Sequence, residues 1–201
     1  MEIVAKELFE ILLEFDKYLP RSIKLIAVGG TALTLLNKKS STKDIDICFL
    51  NESEEKTFLK TAERLGYKIE SARKLIGKNI VIDYYCKGYI FAVHLESDYF
   101  EKSVEITTMQ KLELYSLNPI DLIITKTARL NQRDEEDIKT ILSSYPINQK
   151  ELVERYIKTM ANSLVRDAKE NILVLFSIIE KQMKIDQTAL DIAKRWANER
   201  F

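Results

Sequence analysis

The sequence contains few of the residues on which many catalytic and structural sites depend. Among 201 residues there are two cysteines, one histidine, one tryptophan, three prolines and five glycines. A single histidine, His94, leaves little for a Ser/His/Asp hydrolase, and no nucleophile-elbow motif accompanies it. Because so few cysteines and histidines argue against a structural zinc site, Cys48 and Cys86 are predicted to be reduced thiols. Any catalytic chemistry is therefore expected to depend on carboxylates.

Long apolar runs and an excess of either charge are also absent from the sequence. No stretch approaches the roughly 20 apolar residues that a membrane-spanning helix needs, and the charged amino terminus does not resemble a signal peptide. The protein is therefore predicted to be cytoplasmic and not bound to membranes. The 31 basic residues equal the 31 acidic residues. This balance argues against nucleic-acid affinity from a protein-wide positive charge, but it leaves room for a local basic groove.

The periodicity of apolar residues divides the chain into a mixed α/β half and a helical half. An amphipathic helix is predicted over residues 2–18, and strand-like segments follow it to about residue 115. From Asn118 onward only helical patterns remain. The predicted fold class is α/β (α+β), with a mixed β-sheet flanked by helices in a domain of residues 1–117. A carboxy-terminal helical bundle of residues 118–201 is predicted to follow.

Two of the five glycines stand together in the segment VGGTALTLLNKKSSTKDIDICFL, which begins at Val28. Gly29 and Gly30 follow an apolar strand pattern and precede a helical one. Because glycine has no Cβ, such a strand-to-helix turn leaves backbone N–H groups open to a phosphate. The alternative is a tight turn that needs only a positive φ, and the glycines alone do not choose between the two.

Aspartates inside strand-like segments carry the stronger signal. In a strand, residues i and i+2 project from the same face, so Asp44 and Asp46 are predicted to lie side by side while Ile45 and Ile47 face the core. Adjacent carboxylates repel each other unless the face is solvated or a divalent cation lies between them. Asp83 lies in another apolar run, where an unpaired carboxylate is costly to bury. If the two strands are neighbours, three carboxylates converge and can hold metal ions against a nucleoside triphosphate.

A segment rich in both charges, DLIITKTARLNQRDEEDI, begins at Asp121 in the helical half. Lys126, Arg129, Arg133 and Asp137 are spaced by three, four and four residues, so they share one face if the segment forms a single helix. Such a stripe is either a solvated surface or a site for a triphosphate. Beside three convergent carboxylates, the sequence favours the triphosphate.

Together these motifs resemble the polymerase-β-like nucleotidyltransferase superfamily, in particular its minimal nucleotidyltransferases and the AbiEii-type toxins. The resemblance extends over about residues 23–142 and implies a nucleotidyltransferase-type mixed sheet. It implies an enzyme with two Mg²⁺ ions that moves a nucleoside monophosphate from an NTP, such as ATP, to an acceptor hydroxyl on tRNA, protein or a small molecule. It also implies a toxin of a toxin–antitoxin pair, with an antitoxin as partner.

The resemblance also assigns roles to particular residues. It implies that Asp44, Asp46 and Asp83 are the catalytic metal ligands, and that Asp83 assists deprotonation of the attacking hydroxyl. Nucleotide contacts are implied for Gly29, Gly30, Thr31, Thr42, Lys126, Arg133 and Asp137. Asp134 completes the Arg-Asp-x-x-Asp pattern at the end of that set.

One position departs from the family pattern. Relatives often carry an arginine four residues before the first metal-binding aspartate, where this chain has Ser40. Lys38 or Lys39 nearby cannot reproduce a bidentate guanidinium. Two alternatives to an active transferase follow: a catalytically inactive nucleotide-binding or protein-interaction module, and a metal-dependent phosphohydrolase that uses water. The helices after residue 145 are expected either to shape the acceptor site or to form a homodimer interface.

Overall fold

The computed structural model describes residues 2–199, which form two compact units. The first unit contains the described residues up to Tyr89 together with Ser97–Asn118, and the second contains Ile90–Glu96 together with the residues from Pro119 onward. The segment Ile90–Glu96 thus belongs to the helical unit, although the sequence placed it in the amino-terminal domain. In the described part of the chain, no helix is long and apolar enough to cross a membrane.

Helices and strands are numbered along the chain. The helices are α1 (Ala5–Tyr18), α2 (Gly29–Leu35), α3 (Glu52–Arg64), α4 (Pro119–Thr127), α5 (Gln132–Ser144), α6 (Gln149–Ala161), α7 (Ala168–Gln182) and α8 (Gln187–Asn198). The strands are β1 (Ile3–Val4), β2 (Ile23–Ala27), β3 (Ser41–Thr42), β4 (Ile45–Phe49), β5 (Lys68–Ser71), β6 (Lys74–Gly77), β7 (Ile80–Cys86), β8 (Tyr89–Ile90), β9 (Val93–His94), β10 (Val104–Thr108) and β11 (Leu112–Ser116).

The first unit is built on a mixed sheet with the strand order β10-β11-β2-β4-β7-β6-β5. The central strand β2 is parallel to β11 and antiparallel to β4, and β4 is parallel to β7. A separate antiparallel pair joins β1 to β3. The predicted mixed α/β fold class is confirmed, whereas β6 and β11 were not predicted from the sequence.

Helices α1 and α3 pack against one face of this sheet through an aromatic cluster. Phe58 of α3 stacks on Phe15 of α1 with ring centroids 4.3 Å apart, and its ring lies 5.2 Å from that of Phe49 in β4. Side chains alternate along a strand, so Ile47 projects toward the same helices as Phe49. Asp46 therefore projects from the opposite face of the sheet.

Local sequence explains where several helices begin and end. The side chain of Asn51 accepts a hydrogen bond from the backbone N–H of Glu54 at 3.0 Å and so caps α3. Gly66, just beyond the end of α3, has a φ of +90°. The sequence predicts a cap at Asn51 or Ser53 and a stop at Gly66; the structure places the cap at Asn51 and confirms the stop.

The two cysteines are free thiols, as predicted. Burial raises the pKa of the Cys48 thiol from 9.0 to about 12. Because the thiolate is the reactive form, Cys48 is a structural residue of the core at neutral pH.

The second unit is held together by buried polar contacts between its helices. Arg155 of α6 forms a bidentate ion pair with Asp121 of α4, with N···O distances of 2.6 and 2.8 Å. The backbone N–H of His94 donates to the hydroxyl of Ser163 at 2.9 Å, which fixes the Ile90–Glu96 segment to this unit. These contacts join parts of the predicted helical bundle to one another.

Candidate active site

Asp46 and Asp83 lie opposite each other on neighbouring strands of the first unit. Strands β4 and β7 are parallel, and their register pairs Asp46 with Asp83. Facing residues of a parallel pair project from the same side of a sheet, and both aspartates are half-buried. The predicted convergence of carboxylates depended on these two strands being neighbours, and β4 and β7 are neighbours in the sheet. Two carboxylates are therefore presented together on the face that does not carry α1 and α3.

Asp44 does not lie on the strand that the sequence predicted for it. Strand β4 begins at Ile45, and Asp44 lies in a bend one residue earlier. The backbone carbonyl oxygen of Asp44 accepts hydrogen bonds from the hydroxyls of Thr31 at 3.1 Å and Thr42 at 3.0 Å. Because these hydroxyls bind the backbone, the chain turns before it enters the sheet. The strand therefore begins one residue later than predicted, and the placement of the Asp44 side chain beside Asp46 stays a prediction.

Thr31 connects α2 to the start of β4. Its hydroxyl donates to the carbonyl of Asp44 and accepts from the backbone N–H of Asp46 at 2.8 Å. The Thr31 side chain is fully buried. Thr31 thus fixes the backbone on both sides of Ile45, and its hydroxyl positions Asp46.

Gly29 and Gly30 leave the space that two polar side chains occupy. A Cβ on Gly29, where φ is +57°, would lie 2.8 Å from Oδ2 of Asp46. A Cβ on Gly30 would lie 2.8 Å from Oγ1 of Thr42. A tight turn with positive φ therefore accounts for Gly29, and a phosphate contact at the two glycines stays a prediction.

Substituting alanine at Gly29 is expected to lower both stability and activity. The left-handed backbone alone should reduce the free energy of unfolding by about 1–2 kcal/mol, and the new methyl group must displace the Asp46 carboxylate. Urea unfolding and an assay of pyrophosphate release measure the two effects.

The matched control for this prediction is Gly66→Ala. Gly66 also has a positive φ, but a Cβ there meets no atom of the described residues within 4 Å. Gly66→Ala should therefore lose stability and keep its activity. Equal activity in the two variants would show that the contact between Gly29 and Asp46 is unimportant for function.

Lys126 lies in a buried network of charges in the helical unit. Its Nζ is 2.5 Å from Oδ2 of Asp137 and 3.3 Å from Oδ1 of Asp134, and its side chain is 5% exposed. Arg129 binds Asp134 at 2.9 Å and lies over the ring of Phe91, 4.0 Å from its centroid. Two carboxylates are therefore shared between two cations.

The single helical face proposed for this segment does not form. Helix α4 ends at Thr127, Leu130 takes a φ of +45°, and Asn131 caps a new helix. As a result Lys126 is buried, whereas Arg133 in the first turn of α5 is exposed. The signal for this break was present in the sequence, because asparagine with an acid three residues later is a capping box.

The carboxylates of the first unit suit Mg²⁺ in part. Mg²⁺ prefers oxygen ligands and is usually bound by one or two carboxylates together with substrate phosphates and water. Asp46 and Asp83 offer such a pair. Among residues 2–199, however, no group of three or more His, Cys, Asp or Glu side chains is arranged to hold a metal ion. The pair therefore fits a cation whose coordination is completed by a substrate and water, and a third carboxylate ligand stays a prediction.

A mixed sheet with paired aspartates beside a glycine turn defines a nucleotidyltransferase-type fold. Residues 6–184 match the family described as "Nucleotidyltransferase of unknown function (DUF6036)", and the chain belongs to this family. The nucleotidyltransferase class that the sequence motifs implied is thereby confirmed. The protein is an enzyme of the nucleotidyl-transfer class.

Individual known proteins add little to this assignment. No curated protein matches the chain. The crystal structure of ANT(2")-Ia in complex with adenylyl-2"-tobramycin is 12% identical, aligns over 89% of this chain and 98% of its own, and has a TM-score of 0.43. JHP933 from Helicobacter pylori is 14% identical, with 94% and 88% of the two chains aligned and a TM-score of 0.45. At these TM-scores neither likeness carries an argument about substrate or mechanism.

Proposed function

We propose that the chain is a Mg²⁺-dependent nucleotidyltransferase that moves a nucleoside monophosphate from an NTP to an acceptor hydroxyl and releases pyrophosphate. The observation that carries the proposal is the register pair of Asp46 and Asp83, next to the turn at Gly29. Membership of a nucleotidyltransferase family supports the reaction class. ATP is the first NTP to test, and tRNA, protein and small molecules are the acceptor classes.

The carboxylates are proposed to act on both reaction partners. Asp46 and Asp83 would hold Mg²⁺, with Asp44 as a third ligand at the entrance to β4. When bound there, Mg²⁺ supplies charge that polarises the α-phosphate and stabilises the leaving pyrophosphate. Asp83 accepts the proton of the acceptor hydroxyl as its oxygen attacks the α-phosphorus and the bond to pyrophosphate breaks.

Residues around the glycine turn are proposed to bind the triphosphate. Gly29 and Gly30 permit close approach to their backbone, and the turn lies against Asp46. The hydroxyls of Thr31 and Thr42 both donate to the carbonyl of Asp44. We therefore propose that these two threonines hold the backbone that forms the phosphate site.

Lys126, Arg133 and Asp137 are proposed as nucleotide contacts from the sequence resemblance alone. Arg133 is exposed and carries a guanidinium that suits a phosphate. Lys126 is bound to Asp137, so a phosphate would have to replace that carboxylate. The sequence pattern of the family is the support for this part of the proposal. The buried network by itself gives Lys126 and Asp137 a structural role.

A thermal-melt series with each of the four ribonucleoside triphosphates, with and without Mg²⁺, tests the proposed site. A nucleotide at about 100 times its Kd should add roughly 2.7 kcal/mol to the stability of the protein, a shift of several degrees. The shift should depend on Mg²⁺ and vanish in Asp46→Asn/Asp83→Asn. The exposed pair Asp167→Asn/Asp191→Asn removes the same charge elsewhere and should keep the shift. Absence of a shift with all four nucleotides would contradict the proposal.

The exposed Ser40, which stands where relatives often carry arginine, favours an inactive nucleotide-binding module as the second candidate. A melt shift without pyrophosphate release would identify that module. Release of inorganic phosphate without an acceptor would instead identify a phosphohydrolase.

If the protein is a toxin, its expression should arrest cell growth. The arrest should depend on Asp46 and be relieved by a partner chain. Growth arrest that persists in Asp46→Asn contradicts the toxin proposal.

A further inference from the structure

A basic groove of about 310 Å³ lies on the outer side of α3 in the first unit. Four cations line it, namely Arg21, which follows α1, and Lys56, Lys60 and Arg64 of α3. None of the described residues that line the groove is acidic. In a chain with equal numbers of acidic and basic residues, this is a local concentration of positive charge.

The groove is a continuous stripe because its residues recur with the helical period. Ser53, Lys56, Thr57, Lys60 and Arg64 are separated by three, one, three and four residues, so they lie on one face of α3. The stripe from the first to the last of them spans about 16 Å of the helix. Its cations can therefore contact several charges in a row.

Hydroxyl groups hold one cation of the groove in place. Nη2 of Arg21 donates to Oγ of Ser53 at 2.7 Å and to Oγ1 of Thr57 at 3.1 Å. These bonds fix the guanidinium against α3. A positioned guanidinium loses less conformational entropy when it binds a phosphate than a freely moving one.

Two of the four acidic residues of α3, Glu52 and Glu54, are directed to partners outside the groove. Glu52 binds Nζ of Lys87 at 2.7 Å, and Glu54 is buried and accepts from the backbone N–H of Lys24 at 3.2 Å. The cations of the groove are thus not neutralised by these two acids of their own helix.

The groove and the aspartate pair belong to opposite sides of the sheet. Phe58 directs the inner face of α3 toward Phe49, whereas Lys56 and Lys60 are exposed on the outer face. Asp46 projects from the far side of the sheet. A substrate that contacts both Asp46 and the groove must therefore extend around the edge of the sheet.

We propose that this groove binds the phosphate backbone of RNA and anchors an RNA acceptor for nucleotidyl transfer. The acceptor role rests on the proposed function; the binding itself does not. Lysine and arginine neutralise phosphates, and the neighbouring hydroxyls can bond to phosphate or to the ribose 2′-OH. The described lining residues include no aromatic ring for base stacking, so binding is independent of base sequence.

The test measures the affinity of a fluorescent, mixed-sequence RNA of about 24 nucleotides as a function of salt. Each phosphate contact adds about 0.7–0.9 to the slope of log Kd against log salt. If four cations each bind a phosphate, raising the salt fourfold should weaken binding of the wild-type chain about 50- to 150-fold. Lys56→Gln/Lys60→Gln should keep two contacts and weaken only about 7- to 12-fold.

The matched control is Lys150→Gln/Lys158→Gln, which removes two exposed lysines from α6. It should keep the wild-type salt slope. An unchanged slope in Lys56→Gln/Lys60→Gln, or no RNA binding by the wild-type chain, would overturn the proposal. Equal affinity for single-stranded DNA of the same sequence, or for poly-glutamate, would overturn the assignment to RNA and point to a different polyanion.

Kinetics separate this inference from the proposed function. If both are correct, Lys56→Gln/Lys60→Gln should raise the KM for the RNA acceptor and leave kcat and the nucleotide-dependent melt shift unchanged. RNA binding by a chain that shows no nucleotide-dependent melt shift would support RNA binding at the groove and contradict the proposed transferase. A nucleotide shift without RNA binding would do the reverse.

Discussion

Asp46→Asn is expected to slow nucleotidyl transfer at least about a hundredfold with little change in the free energy of unfolding. Asparagine keeps the size of the side chain and removes the charge that would hold Mg²⁺ against the α-phosphate. Asp46 is half-buried and lies beside another carboxylate on the sheet, so removal of its charge relieves the repulsion within this pair. The measurement is pyrophosphate release with ATP and a mixed acceptor pool, together with urea unfolding.

Two further variants show whether the effect belongs to the aspartate pair. Asp83→Asn should lose activity to a similar degree, and the double variant should lose little more, because both residues act on one bound cation. Asp167→Asn removes an exposed charge in the helical unit and should remain fully active. Full transfer activity in Asp46→Asn would show that the assignment of the catalytic pair is wrong.

Lys126→Met is expected to destabilise the helical unit by about 3–5 kcal/mol. The substitution fills the space of the buried aliphatic stem but leaves Asp137 without its closest cation. Asp134 retains the contact with Arg129 at 2.9 Å. Urea unfolding measures the loss, and Lys150→Ala on the exposed surface of α6 is the control, with an expected change below about 0.5 kcal/mol.

A double variant separates the structural role of Lys126 from its proposed role in binding. Lys126→Met/Asp137→Leu also removes the carboxylate that lost its closest cation. It should recover most of the lost stability, because Asp134 stays paired with Arg129. If the double variant is stable but no longer shows a nucleotide-dependent melt shift, Lys126 contacts the nucleotide. If it is stable and keeps the shift, the lysine serves only the core.

Local features of the fold could be predicted because each depends on a few neighbouring residues. The cap at Asn51, the stop at Gly66 and the hairpin turn at Lys87-Gly88 follow from side-chain hydrogen bonds and backbone preferences of single residues. The sequence did not predict strand β11 although its residues alternate: Leu112 and Leu114 are buried, and Glu113 between them is half-exposed.

Features that depend on backbone details between motifs were predicted less well. The predicted strand began at Asp44, but β4 begins at Ile45, where the hydroxyls of Thr31 and Thr42 bind the carbonyl of the preceding residue. The single helical face failed because Asn131 caps a new helix, which buries Lys126 between two aspartates. In both cases a short polar side chain competes with regular secondary structure for a backbone group.

The sequence by itself determined the reaction class that the family confirms, because the residue types and spacing of its motifs can be read along the chain. Only the tertiary structure decided which groups meet. The register of β4 and β7 sets Asp46 opposite Asp83. The turn at Gly29 lies so close to Asp46 that a Cβ added there would be 2.8 Å from Oδ2 of that carboxylate. Strand partners and their register depend on contacts between residues far apart in the chain, and no local pattern specifies them.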